Sequence, residues 1–262
     1  MLFFNIFSKN SYMSFHMTFF IMDENICNKF CYRKNKKKSF QKQKMDKLKL
    51  VIFDMDGVLA DIISSWNYIH DYFKTSNEKS VKAYITGTID DAEFIKRDAL
   101  LWKENDKSIK KEKLIYLLSK VPIMNGAKKC IKTLRDNNIK TAIVSAGIDI
   151  LANRLVRKLG INYSLSNGIM TDNNGYLLGK GIVNVKLMYK NEAVIKISNK
   201  LNLPLKNIAS VGNSCFDIPM FEVSGVSIAF NPGDKCVKRA ADFIVEEKNL
   251  IKILPYLSKY FV

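Results

Sequence analysis

The 262-residue chain has no uninterrupted apolar run of about 18 residues, the length a helical membrane span needs. Its aromatic and Met-rich patches near the amino end are broken by Asn5, Ser8, Lys9, Asn10, Ser11, Ser14 and His16, and no basic region precedes them. Neither a signal peptide nor membrane contact through this segment is therefore expected. Paired cysteine spacing is also missing: the five cysteines, at 27, 31, 130, 215 and 236, form an odd set without a disulfide framework, which points to a reducing, cytoplasmic setting. His16, Cys27 and Cys31 do not have the spacing of a metal cluster. A basic stripe is lacking as well. The formal charge is +17, but nine Lys/Arg against two Asp/Glu fall in residues 1–44, and the other lysines are scattered at helix-surface spacing. Such a surface is solvated rather than shaped for nucleic acid, so no nucleic-acid partner is expected, while small anions are favoured by the field.

With 47% hydrophobic residues, the chain can bury a full core. Residues 1–44 lack core periodicity and read as a low-order basic tail, with Met45 standing just before the first convincing strand. That strand, Leu50-Val51-Ile52-Phe53, has the β-branched and aromatic enrichment of a buried position. Further strands are expected at 140–145, 208–211 and 226–230, with helices at 128–137, 148–159, 191–201 and 216–223 between them. Alternation of this kind implies parallel βαβ units and an α/β, doubly wound, Rossmann-like sheet. Between the first two strands, residues 62–121 show helical periodicity without a strand pattern, too long a stretch for a loop, and are expected to form a small helical cap. Gly87 closes one block there, and Asp90 or Asp91 caps the next. The catalytic core would then comprise 45–61 and 122–262. A second, smaller insertion is expected at Asn173-Asn174-Gly175, where Asn-Gly chemistry predicts a tight β-hairpin.

The first strand ends in Asp54-Met55-Asp56-Gly57. Carboxylates at the carboxyl end of a buried strand occupy the ligand-binding edge of an open α/β sheet. Successive residues of a pleat point to opposite sides, but a turn freed by Gly57 can bring Asp54 and Asp56 to one pocket. One carboxylate can then act as nucleophile and the other as acid and base. The second strand ends in Ser145-Ala146-Gly147, a hydroxyl followed by small residues whose backbone N–H groups can meet a phosphate at the next helix. Lys190 opens a helix and could neutralise phosphate and nucleophile together. The third strand delivers Asn213 and Asp217, oxygen donors suited to a hard cation.

In this order the motifs resemble those of the haloacid dehalogenase-like hydrolases, within them the phosphoserine phosphatase-like branch, over roughly residues 49–257. The resemblance implies a magnesium-dependent phosphatase that cleaves a small phosphomonoester through an aspartyl-phosphate. Asp54 would be the nucleophile and Asp56 the acid/base. Ser145, Ala146, Gly147 and Lys190 would bind phosphate, and Asp54, Asp56, Asn213 and Asp217 would hold Mg2+. Asp56 favours phosphoryl transfer, because relatives that cleave carbon–halogen bonds lack a carboxylate there. Two departures stand out. Asn213 replaces the usual Asp of the fourth motif, and Ile62-Ile63-Ser64-Ser65-Trp66 occupies the cap entry, where a Glu for the amino group of phosphoserine resides in that branch. Within the cap, Arg97, Trp66 and His70, with Trp102, are the residues to weigh for substrate selection, against cap-core roles for both Trp residues and a same-helix ion pair for Arg97. Two alternatives remain open: phosphoryl transfer to an acceptor alcohol, or a weakly active phosphate-binding protein marked by Asn213.

Overall fold

The computed structural model describes residues 44–261, so the expected tail lies outside the described residues apart from Lys44. From the amino end, β1 is Leu50–Phe53, followed by α1 (Ser65–Phe73), α2 (Glu78–Ile85) and α3 (Asp91–Leu101). Two short strands, β2 (Lys103–Glu104) and β3 (Lys107–Ser108), precede α4 (Lys111–Ser119) and α5 (Ala127–Asp136). Then come β4 (Lys140–Ile148), α6 (Asp149–Leu159), β5 (Tyr163–Thr171), β6 (Leu177–Ile182) and α7 (Lys190–Leu201). The chain ends with β7 (Ile208–Gly212), α8 (Ile218–Val223), β8 (Val226–Phe230), α9 (Lys235–Ala240), β9 (Phe243–Val245) and α10 (Leu254–Ser258).

Seven strands form one sheet in the order β6-β5-β4-β1-β7-β8-β9, parallel throughout except for the β5–β6 pair. β1 lies at its centre because nothing in Leu-Val-Ile-Phe is polar: both faces of the strand can be covered, and all four residues are buried. Its side chains alternate between two cores. Val51 and Phe53 join Ile131, Leu134, Leu151 and Leu155 of α5 and α6 on one face. Leu50 and Ile52 join Val194, Ile197, Met220 and Phe221 of α7 and α8 on the other. Helices on both faces make the sheet doubly wound, as its sequence pattern predicts. From β1 the chain first builds out to β4 and later returns to β7 on the other side, so the strand order reverses at β1 and a crevice opens at its carboxyl end.

The structure adds β9 at one edge of the sheet, where no strand was expected, and differs from the sequence reading elsewhere too. β4 runs on to Ile148, with a register shift after Val144, instead of turning at Ser145. The Asn173-Asn174-Gly175 turn forms, with Gly175 at φ 83° and Asp172 Oδ1 accepting from the N–H groups of Asn174 and Tyr176, but its strands β5 and β6 are the edge of the main sheet rather than a separate insertion. β2 and β3 make a further hairpin where no strand was expected. Its turn residues, Asn105 and Asp106, sit at φ 50° and 60°, and the two flanking residues on each side are too few to show an alternation for a sequence reading to detect.

The segment between β1 and β4 rests on the β5–β6 hairpin. Ser108 Oγ donates to the Leu177 carbonyl at 2.7 Å, the Leu177 N–H to the Ile109 carbonyl at 3.0 Å, and the Lys111 N–H to the Gly175 carbonyl at 2.9 Å. Glycines in β6 admit α3: a Cβ at Gly181 would lie 2.6 Å from Cγ2 of Ile95. Asp90 caps α3 by accepting from the Glu93 N–H, while Asp91 accepts from the Leu187 N–H and from Tyr84 Oη. Among the described residues no helix is long and apolar enough to cross a membrane.

Candidate active site

Three strand ends and the start of α7 converge at the carboxyl end of β1. Asp54 follows β1, its N–H bonded to the Val211 carbonyl at 2.9 Å, and is 6% exposed. Lys190, the first residue of α7 and 2% exposed, places Nζ 2.9 Å from Asp54 Oδ1 and 2.6 Å from Asp217 Oδ1. Burial works against an ammonium, yet the two carboxylates outweigh it and hold the Lys190 pKa above its ordinary value. One buried cation facing two buried carboxylates leaves a net negative charge.

Asp217 has no exposure, and both its oxygens are engaged within the chain. Oδ1 accepts from Lys190, and Oδ2 from the N–H groups of Asn213 (2.8 Å) and Ser214 (3.0 Å) and from Ser214 Oγ (3.3 Å). It closes a capping box over the 3₁₀ turn Cys215–Asp217. Asn213 lies against the first motif: a Cβ at Gly57 would be 2.1 Å from its Nδ2, and Gly57 adopts φ 77°. No side chain but hydrogen would fit that turn.

Asp56 turns toward α1. Its Oδ2 accepts from the Ser65 N–H at 2.7 Å and from Ser65 Oγ at 2.8 Å, while its Oδ1 is buried without a hydrogen-bond partner among the described residues. Burial, then the neighbouring charge of Asp54, pushes the Asp56 pKa up to about 7, with the Ser65 donors opposing. A carboxyl poised there can both give and take a proton near neutrality.

Ser145 is buried and accepts from the Gly147 N–H at 3.2 Å. Gly147 packs beside Asp56, since a Cβ there would sit 2.9 Å from Asp56 Oδ2 and 2.5 Å from Met55 Cε. The Ala146 carbonyl accepts from Trp66 Nε1 at 3.0 Å and from Asn167 Nδ2 at 3.3 Å. Asp54, Asp56, Ser145, Ala146, Gly147, Lys190, Asn213 and Asp217 are thus gathered at one end of the sheet.

The cap candidates divide. Trp66 reaches this cluster through Ala146 and stacks on Trp102 at 5.7 Å. His70 instead lies in the interior of the helical segment: Trp102 Nε1 donates to its Nδ1, Thr75 Oγ1 lies 2.8 Å from the same nitrogen, and Asp98 Oδ2 lies 3.3 Å from Nε2. Arg97 pairs with Glu93 on its own helix and is 43% exposed, the same-helix pairing weighed from the sequence. Two residues of the site escaped sequence reasoning. Ser65 has no distinguishing context beside Ser64. Asn167 uses its amide to join the Ala146 and Val185 carbonyls to the Asn184 and Val185 N–H groups, linking the strand end of β4 to the approach to α7. Its one signal was an Asn in mid-strand, where that residue is depleted.

The model of the haloacid dehalogenase-like hydrolases matches residues 48–225. The chain belongs to that family. Among its relatives is the phosphoserine phosphatase of Methanocaldococcus jannaschii, 29% identical over 219 residues covering 81% of this chain and 99% of the relative. That of Idiomarina loihiensis is 31% identical, covering 80% and 94%. A substrate-bound phosphoserine phosphatase structure superposes with TM-score 0.69 at 27% identity, over 80% of this chain and 99% of that one. A phospho-aspartyl intermediate analogue of phosphoserine phosphatase gives 0.68 at 28%. With phosphoserine phosphatases as its relatives within that family, the chain is a phosphoric monoester hydrolase with magnesium as its cofactor. The residues present suit such an ion: a net negative buried cluster, the oxygens of Asp54 and Asp56, and the Asn213 amide beside Gly57 are hard donors.

Proposed function

We propose that this hydrolase cleaves a small phosphomonoester through a covalent aspartyl-phosphate on Asp54. The observation that carries the reading is the Asp54–Lys190–Asp217 trio at the end of β1, with the half-free carboxyl of Asp56 two residues on. Asp54 attacks phosphorus, the ester P–O bond breaks, and Asp56 gives its proton to the departing oxygen. Asp56 then takes a proton from water as the water oxygen attacks phosphorus, releasing inorganic phosphate and the Asp54 carboxylate. Lys190 and Ser145, with the Ala146–Gly147 backbone, hold the phosphoryl oxygens. Asp54, the Asp56 carbonyl and Asn213 would hold magnesium, which lowers the repulsion between nucleophile and phosphate. Because both its oxygens are already occupied, Asp217 is assigned here to fixing Lys190 and the 213–214 turn rather than to touching the ion.

Residues 45–61 and 122–262 act as the catalytic unit, and residues 62–121 as its cap. At the cap entry Ile62 is partly buried and Ile63 is 64% exposed, so these two positions offer no carboxylate to an ammonium. The reading therefore favours a leaving alcohol without an amino group over phosphoserine. Steady-state hydrolysis of a panel of metabolite phosphomonoesters with magnesium tests both parts. Turnover should be found, abolished by Asp54→Asn in a protein that stays folded, with phosphoserine a poor substrate. Activity surviving Asp54→Asn would overturn the mechanism, and efficient phosphoserine turnover would overturn the substrate reading.

A further inference from the structure

Ser65 is the first residue of α1 and has no exposure. It makes three contacts that no helix-starting role requires. Its N–H and its Oγ–H both donate to Asp56 Oδ2, at 2.7 and 2.8 Å, and its Oγ accepts from the Ile148 N–H at 3.1 Å. The helix cap is supplied by its neighbour: Ser64 Oγ accepts from the Asn67 N–H. The residue after it, Trp66, donates Nε1 to the Ala146 carbonyl. Two consecutive residues at the start of α1 therefore clasp the 146–148 end of β4 at a carbonyl and at an N–H, and the same hydroxyl that holds the N–H also grips Asp56.

We infer that Ser65 is a positioning residue that presents Asp56 for proton transfer and ties it to the phosphate-side end of β4. The inference rests on the proposed acid–base role of Asp56. A carboxylate has two equivalent oxygens and rotates freely unless something distinguishes them. Ser65 distinguishes them: with two donors on Oδ2, the proton of the acid form belongs on Oδ1, the buried oxygen without a partner among the described residues. Proton delivery to a leaving oxygen needs the donor within hydrogen-bond reach and aligned, so fixing which oxygen carries the proton fixes the acid. Because Ser65 belongs to α1, that orientation exists only while the start of α1 is seated on the core.

The test separates proton delivery from general damage. Asp56 must protonate an alkoxide leaving group, whereas p-nitrophenolate leaves without a proton. kcat/KM, which reports steps through phosphorylation of Asp54, is measured with p-nitrophenyl phosphate and with an alkyl phosphate that the enzyme hydrolyses, for wild type, Ser65→Ala and Asp56→Asn. Ser65→Ala keeps the Ser64 cap and the backbone N–H of residue 65, so the fold is expected to persist, checked by melting temperature. The expected result is an alkyl-phosphate kcat/KM lowered by about tenfold in Ser65→Ala, a part of the roughly 10²–10⁴-fold that general acid–base catalysis contributes, with the aryl ester little changed and Asp56→Asn showing the same selectivity more strongly. Equal loss on both substrates, or none on either, would overturn the role of Ser65 while leaving a selective Asp56→Asn intact. If Asp56→Asn itself spares the alkyl ester, the acid–base assignment fails and this inference goes with it.

Discussion

Replacing Lys190 by Met keeps the length and apolar stem of the side chain but removes the one ammonium between Asp54 and Asp217, which lie 2.9 and 2.6 Å from it. Breaking a buried ion pair by deleting one partner costs about 3–5 kcal/mol, because it strands the other charge. Asp217 keeps three donors on Oδ2, so the penalty falls mainly on Asp54, and the lower end, about 3 kcal/mol, is expected. For a domain of this size that is a melting-temperature drop of roughly 6–12 °C. The assay is thermal unfolding by circular dichroism in chelator. Adding magnesium should return much of the loss, since a ligand at a hundredfold excess over its Kd contributes about 2.7 kcal/mol to the native state. The double variant Lys190→Met with Asp54→Asn should also recover stability, because the stranded charge is gone. An unchanged melting temperature for Lys190→Met in chelator would refute the buried trio.

Asn213→Asp replaces a dipole by a charge beside the divalent site, and the magnesium concentration for half-maximal activity should fall roughly tenfold; an unchanged midpoint would remove Asn213 from the metal. Asp149 at the start of α6 has Oδ1 buried without a partner among the described residues, and burial raises its pKa while Lys111 opposes. The folded state then holds this proton more tightly than the unfolded chain, so its contribution is favourable below the unfolded carboxyl pKa, about 4, and is lost as pH rises through the folded value. Asp149→Asn should accordingly gain stability over wild type as pH climbs from about 4 to 7 in urea titrations, and a constant difference would contradict this. Trp66→Phe removes one of two donors to the Ala146 carbonyl and should cost about 1 kcal/mol by the same measurement. Arg97→Ala breaks only an exposed same-helix pair, so kcat/KM should stay at the wild-type value.

The central sheet was legible because its strands are mostly apolar runs of the right length: Leu50–Phe53, Ile208–Gly212 and Val226–Phe230 are buried throughout, with Ser210 and Ser227 as the polar exceptions, and each stops at polar or small residues. That Asp54, Asp56, Lys190 and Asn213 would lie together was legible because they follow strand ends or open a helix in a fixed order. β2–β3 were not, since two residues per strand carry no period. β9 is three residues long and likewise offered too little pattern. Contacts between distant segments were out of reach for a different reason. Ser65 to Asp56 and Ile148, Asn167 to Ala146 and Val185, and Asp91 to Leu187 depend on how the helical segment seats on the core, and short polar side chains look alike in sequence wherever they end up. His70 and Arg97 show the converse: residue types apt for substrate binding that the fold uses for packing and for a surface pair.

The covalent step is tested most directly by trapping the enzyme during turnover of p-nitrophenyl phosphate, reducing the quenched protein with borohydride and sequencing its peptides by mass spectrometry. An acyl-phosphate on Asp54 is reduced to homoserine, so the peptide spanning Leu50 to Gly57 should carry homoserine at position 54 and unmodified Asp at 56, with no such product in Asp54→Asn. Homoserine at another carboxylate, or no reduced residue while hydrolysis proceeds, would contradict Asp54 as the nucleophile.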